Sequence, residues 1–137
     1  MKADQRLLHH VERIGFETVV TSTVVAGELY YGAAKSENVD ANWSETSDFL
    51  SLLEVIPVSS SIAIEFGRLK AALLDRFGPR ERAKRRDFDL AKLGFGDHDL
   101  WIAATAIDRG AVLVSADPDF LRMTDVVDLE VEDWTRS

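Results

Sequence analysis

Three short runs of β-branched and apolar residues, Thr18–Thr21, Val55–Val58 and Ala111–Ser115, are separated by segments whose apolar residues recur at helical spacing. Strands that alternate with helices imply a parallel sheet with right-handed crossovers, the α/β class. Ala111-Val112-Leu113-Val114-Ser115 is apolar without alternation, as expected of a strand covered on both faces. Pro57 places the second run at a sheet edge or a strand end. In such sheets ligands sit beyond the carboxyl ends of the strands, so functional residues are sought where strands give way to helices.

The helices follow from spacing and punctuation. Leu7, Leu8, Val11 and Ile14 form a first stripe, stopped by Gly15. Ser22 or Thr23 can cap a helix through Val24–Gly32. A further helix over Asn38–Leu53 is expected to carry Trp43, Phe49, Leu50 and Leu53 toward a core. Ser59, Ser60 and Ser61 offer caps for the clearest stripe, Ile62, Phe66, Leu69 and Leu73, which Gly78-Pro79 ends. Residues 80–92 read as a loop or a loosely held helix. Asp97 is expected to cap a helix through Leu100–Ile107, closed by Gly110. A turn at Asp117–Leu121 and an edge strand from Val127 to Val131 finish the chain.

Composition narrows the chemistry. The 137 residues suit one domain, long enough to bury about two-thirds of its unfolded surface. No apolar run approaches the roughly 20 residues of a membrane span, and Met1-Lys2-Ala3-Asp4 leads into no signal-peptide core. Without cysteine there is no disulfide framework, thiolate nucleophile or Cys-based zinc site, which fits a reducing cytoplasm. The net charge of −8, from 24 acids against 16 Lys and Arg, argues against holding nucleic acid by bulk electrostatics. A chain of this kind that acts on a phosphodiester needs cations to screen its own carboxylates.

Three carboxylates follow strands or open helices on the ligand side: Glu28, Asp99, and Asp117 with Asp119 close behind. Turns of this kind can bring such groups to one rim of a sheet, where they repel unless a divalent cation keeps them ionised. Oxygen-only ligands favour hard ions, Mg²⁺ or Mn²⁺, and the matching chemistry is phosphodiester hydrolysis by a metal-activated water. Each acid also has a plainer reading. Asp97 is most simply a cap, Asp99 a dipole-favoured acid in a first turn, and Asp117-Pro118-Asp119 a turn. Glu28 lies on a helix that reads as largely buried, where a lone Glu needs a partner.

Other chemistries find no support. The chain lacks G-x-G-x-x-G, G-x-x-x-x-G-K-[ST], H-E-x-x-H and G-x-S-x-G. His9 and His10 are adjacent and read as surface residues, and His98 alone is weak evidence for a ligand or base. Ser115 can orient a water or carboxylate, or make a strand-end turn bond. A phosphoacceptor receiver would need a Lys after a later strand, where this chain has Ala116-Asp117. From Arg76 to Lys92 the chain carries Arg76, Arg80, Arg82, Lys84, Arg85, Arg86 and Lys92 against Glu81, Asp87 and Asp89. That segment reads as a solvated loop, an RNA phosphate rail, or a contact for an acidic peptide.

Three segments in order resemble the PIN-domain family, and most closely its VapC-type ribonuclease toxins. They are Val19–Ser22 with Ala26-Gly27-Glu28-Leu29-Tyr30-Tyr31-Gly32-Ala33, Gly96-Asp97-His98-Asp99-Leu100-Trp101-Ile102-Ala103-Ala104, and Leu113-Val114-Ser115-Ala116-Asp117-Pro118-Asp119-Phe120. The ending Leu129–Trp134 is similar to that family as well. The resemblance implies a PIN-like parallel sheet flanked by helices, with Glu28, Asp99 and Asp117 as metal ligands and Asp119 as an auxiliary acid. It further implies Mg²⁺- or Mn²⁺-dependent cleavage of RNA, homodimers, and inhibition by a cognate antitoxin whose tail occupies the acidic groove.

Proteins of that family open with a buried strand in a hydrophobic-Leu-Asp-Thr-Asn pattern, and its Asp is a metal ligand. Here the first helix follows Met1 almost at once, and no apolar strand precedes Asp4. The expectation is a PIN-like domain over 1–137 that lacks the first strand, starting downstream of the natural beginning or truncated, with unpaired ladders where that strand would lie. The alternative function is a non-catalytic module that keeps the antitoxin or dimer surface.

Overall fold

The computed structural model describes residues 5–135, and side chains from residue 9 onward except that of residue 17. Asp4 and the side chains of Leu7 and Leu8 lie outside the described residues. Contacts gather into two compact units, Met1–Val58 with Trp134–Ser137, and Ser59–Asp133.

In the first unit, α1 (Gln5–Ile14) ends at Gly15, whose φ of 95° turns the chain away at a cost only glycine avoids. Strand β1 (Val20–Ser22) starts later than the sequence suggests, because Phe16–Thr18 coil into a 3₁₀ turn. There the Thr18 hydroxyl donates to the Gly15 carbonyl at 2.8 Å. Helices α2 (Thr23–Ala34) and α3 (Val39–Ser51) then lead to β2 (Glu54–Ile56), which pairs in parallel with β1, Val20 opposite Glu54 and Ser22 opposite Ile56. Pro57 follows the last paired residue, as a strand end requires. Ser22 caps α2 by accepting from the Val25 amide at 3.1 Å. The side of α2 that packs is narrow: its buried residues are Ala26 and Ala33. Trp43, expected in the core, is 45% exposed and rests against Tyr30 with ring centroids 4.5 Å apart. His10 is not a bare surface residue, since its ring stacks on Trp134 at 4.0 Å.

The second unit is built on α4 (Ser60–Phe77) and α6 (Asp97–Arg109). Ser59 caps α4, accepting from the Ile62 amide, and the expected stripe is inside, with Ile62, Leu69 and Leu73 at most 1% exposed. Phe66 is half-buried and stacks on Trp101 of α6 at 3.9 Å. Leu69 and Leu73 join Leu90, Phe95, Leu100, Ala103, Phe120 and Met123 in one apolar core. The basic stretch holds α5 (Arg82–Arg85) and a 3₁₀ turn, Leu90–Leu93.

Strand β3 (Leu113–Val114) pairs in parallel with β4 (Val131–Glu132). The expected strand Ala111–Ser115 is thus shorter and only half-buried, with Val112 40% exposed. The expected strand at Val127–Val131 is displaced toward the end of the chain. The amides of Val126 and Val127 both donate to the Met123 carbonyl, closing the preceding helix, and so cannot join a ladder. That helix, α7 (Pro118–Met123), replaces the turn expected at Asp117–Leu121, with Pro118 in the first-turn position that tolerates its missing N–H. Helices alternating with parallel strands bear out the α/β expectation, and among the described residues the strands form two separate two-stranded ladders. No helix among the described residues is long and apolar enough to cross a membrane.

Candidate active site

The start of α6 is fixed from below. Asp89 caps the Leu90–Leu93 turn by accepting from the Ala91 amide at 3.0 Å, and Gly94 leaves it with φ of 96°. Phe95, 1% exposed, anchors the loop in the core beside Phe77. The helix begins one residue earlier than expected: Gly96 holds the cap position without a side-chain bond, and Asp97 is the first helical residue. Asp97 is instead drawn to Lys70 of α4 at 2.8 Å. With the pair's side chains 44% and 63% exposed, that link orients Asp97 more than it stabilises the fold. Asp99, half-buried in the same first turn, sits where free backbone N–H groups favour a carboxylate. His98 is exposed.

The end of β3 supplies the second acid. The Ser115 hydroxyl accepts from the Asp117 amide at 3.0 Å, so it makes the turn bond rather than reaching into solvent for a ligand. Asp117 caps α7, its Oδ1 accepting from the Asp119 amide at 2.9 Å. Among the described residues its Oδ2 makes no hydrogen bond, so an exposed oxygen remains for a ligand.

Asp119 is committed elsewhere. Its Oδ1 accepts from Arg122 Nη1 at 3.2 Å, and the same Nη1 donates to the Leu93 carbonyl at 2.6 Å. The Arg122 guanidinium lies over the rings of Phe95 and Phe77 at 4.3 and 5.1 Å. Gly94 completes the contact, since a Cβ there would sit 2.9 Å from both Asp119 carboxylate oxygens. Through this lock the loop entering α6, whose Gly94 lies five residues before Asp99, is held against the first turn of α7, which Asp117 caps. Arg122 is absent from the sequence-based reading. Its signal was the i,i+3 spacing from Asp119, but its partners Leu93 and Phe95 lie far off in the chain.

Glu28 belongs to the first unit. It is exposed in α2, not on a buried helix as expected, because the buried stripe there is confined to Ala26 and Ala33. Among the described residues no three His, Asp or Glu side chains gather into a group able to hold a metal ion. The donor chemistry is nevertheless right for a hard divalent cation, since Asp99 and Asp117 carry carboxylate oxygens of the kind such ions take, and Asp97 and Asp119 are bound by Lys70 and Arg122.

Comparison with known proteins gives the family. The PIN domain family model matches residues 2–126. The chain is 34% identical over 116 residues to ribonuclease VapC2 of Haemophilus influenzae, covering 82% of this chain and 73% of that protein. It is 30% identical over 129 residues to the tRNA(fMet)-specific endonuclease VapC of Salmonella typhimurium, covering 92% and 84%. Its fold superposes on the crystal structure of DNA-bound VapBC from Salmonella typhimurium with a TM-score of 0.71 at 26% identity, covering 95% of this chain and 85% of that one. The chain belongs to the PIN-domain family, in its VapC-type branch.

Proposed function

We propose that this chain is the RNA-cleaving toxin of a toxin–antitoxin pair. The observation that carries the reading is the Arg122 lock, which holds the loop before α6 against the α7 turn that Asp117 caps. The similarity to ribonuclease VapC2 and to the tRNA(fMet)-specific endonuclease supports RNA as the substrate, and that to VapBC supports an antitoxin partner. A homodimer working in the cytoplasm completes the proposal.

Asp99 and Asp117, with Glu28 as the third carboxylate, would hold a divalent cation, Mg²⁺ or Mn²⁺. When bound, that ion offsets the phosphate charge and makes a nearby water more acidic, at a site with no protein nucleophile. The protein's own part is positional. Lys70 draws Asp97 aside, Arg122 fixes Asp119, and the α6 N-terminus sets a positive field beside Asp99. Asp119 is a positioning residue that acts through Arg122 and the loop.

Replacing Asp99 with Asn keeps the size and the first-turn position while removing the charge. Metal-dependent RNA cleavage is expected to disappear with the melting temperature held, and cleavage that persists would remove Asp99 from the site. A second reading, a non-catalytic module that binds the antitoxin or dimerises, is favoured by the absence of a three-acid cluster among the described residues. Calorimetric titration with Mg²⁺ or Mn²⁺ separates the two, because such a module takes up no ion.

A further inference from the structure

The stretch from Arg76 to Lys92 carries seven cations against three acids in a chain whose net charge is −8. In the structure it frames a concavity of about 740 Å³ lined by Leu74, Arg82, Ala83, Arg85, Arg86 and Asp87. Two of its cations are paired with acids, Arg85 with Asp75 of α4 and Lys84 with Glu81 at 3.5 Å, and Arg76 lies over the Phe77 ring. Arg82 and Arg86 differ. Both are exposed, and among the described residues neither has an acidic partner. Two uncommitted guanidinium groups beside the apolar Leu74 and Ala83 do nothing evident for the fold, and in an acidic protein they form a local field of opposite sign.

The position of the concavity gives that field a use. Lys70, which grips Asp97 at the start of α6, lies on α4 four residues before Leu74. That is about 6 Å along the helix, so the concavity lies one turn of α4 away from the contact that Lys70 makes with the α6 start. We propose that Arg82 and Arg86 bind the phosphate backbone of single-stranded RNA and lead the strand toward Asp99 and Asp117, with Leu74 and Ala83 as an apolar floor for a ribose or base. The forked guanidinium suits a phosphate, and Asp87 is the single acid in the lining. The substrate class rests on the nuclease reading above. The subsite itself rests on this cluster.

The test is fluorescence anisotropy of a labelled single-stranded RNA in EDTA, where binding is read without cleavage, over a series of salt concentrations. The double variant Arg82→Ala/Arg86→Ala is expected to bind about tenfold more weakly, and its slope of log affinity against log salt to flatten by about 1.4, or ~0.7 for each lost phosphate contact. Both side chains are exposed, so the melting temperature is expected to hold. Unchanged affinity and slope overturn the proposal. It is equally overturned if RNA binding survives while binding of a labelled poly-glutamate peptide is lost, which would assign the concavity to an acidic polypeptide. Asp99→Asn, run alongside, is expected to bind RNA normally without cutting it. Should it cut, the catalytic reading falls while the binding data still judge the arginines.

Discussion

Arg122 does more in this protein than its place in the sequence suggests. Its Nη1 serves a carbonyl and a carboxylate at once while its plane covers two aromatic rings, a combination that lysine cannot reproduce. Arg122→Ala is expected to destabilise the protein by about 2 kcal/mol, from a charge-assisted hydrogen bond and the ring contacts together. Arg122→Lys should recover little of that in a denaturant titration. The cleavage rate should fall in both variants even at temperatures where they stay folded, because the loop before Asp99 loses its anchor. A rate that follows the folded fraction alone would make Arg122 a stability residue only. The order of the acids along the chain is what marks them as candidates. Which cation engages each is not legible there, since Lys70 lies 27 residues from Asp97, and Leu93 lies 29 from Arg122.

At the scale of elements, legibility followed how much each segment depends on itself. The α4 stripe and its serine cap are local signals, and both stand in the structure. Strands depend on partners. The four among the described residues are two or three residues long, so a single amide diverted to a turn, as at Thr18 or Val127, shifts a boundary that apolar runs alone placed elsewhere. Asp117-Pro118-Asp119 carries turn and helix-start signals together, and the apolar Phe120 and Met123, both buried, decide for a helix. The α4–α6 pair is the support on which the Asp97–Asp99 turn stands. Leu69→Ala, at 0% exposure in its centre, is expected to cost about 3 kcal/mol with a lowered melting temperature and unaltered metal affinity in the folded protein. A metal affinity that drops in step would show that the site draws on core packing and not only on the Arg122 lock.

For the molecule as a whole, the charge balance sets the terms on which it meets a polyanion. With 24 acids against 16 Lys and Arg, its carboxylates repel RNA except where a cation screens them or where arginines are concentrated, as Arg82, Arg85 and Arg86 are around one concavity. A ligand that binds only the folded state stabilises it in proportion to its occupancy. Mg²⁺ or Mn²⁺ at a hundred times its dissociation constant should therefore add about 2.7 kcal/mol, seen as a rise in melting temperature. Asp117→Asn makes this test sharp. Asparagine caps a helix as well as aspartate does, so the variant keeps the bond to the Asp119 amide and its stability without metal. It gives up the charge at the exposed Oδ2, and the rise on adding metal should shrink by more than half. Glu28→Gln should act in the same direction. If Asp117→Asn abolishes the rise and Glu28→Gln leaves it whole, then the ion is held by the second unit's carboxylates and Glu28 is no ligand, although its segment resembles the family's.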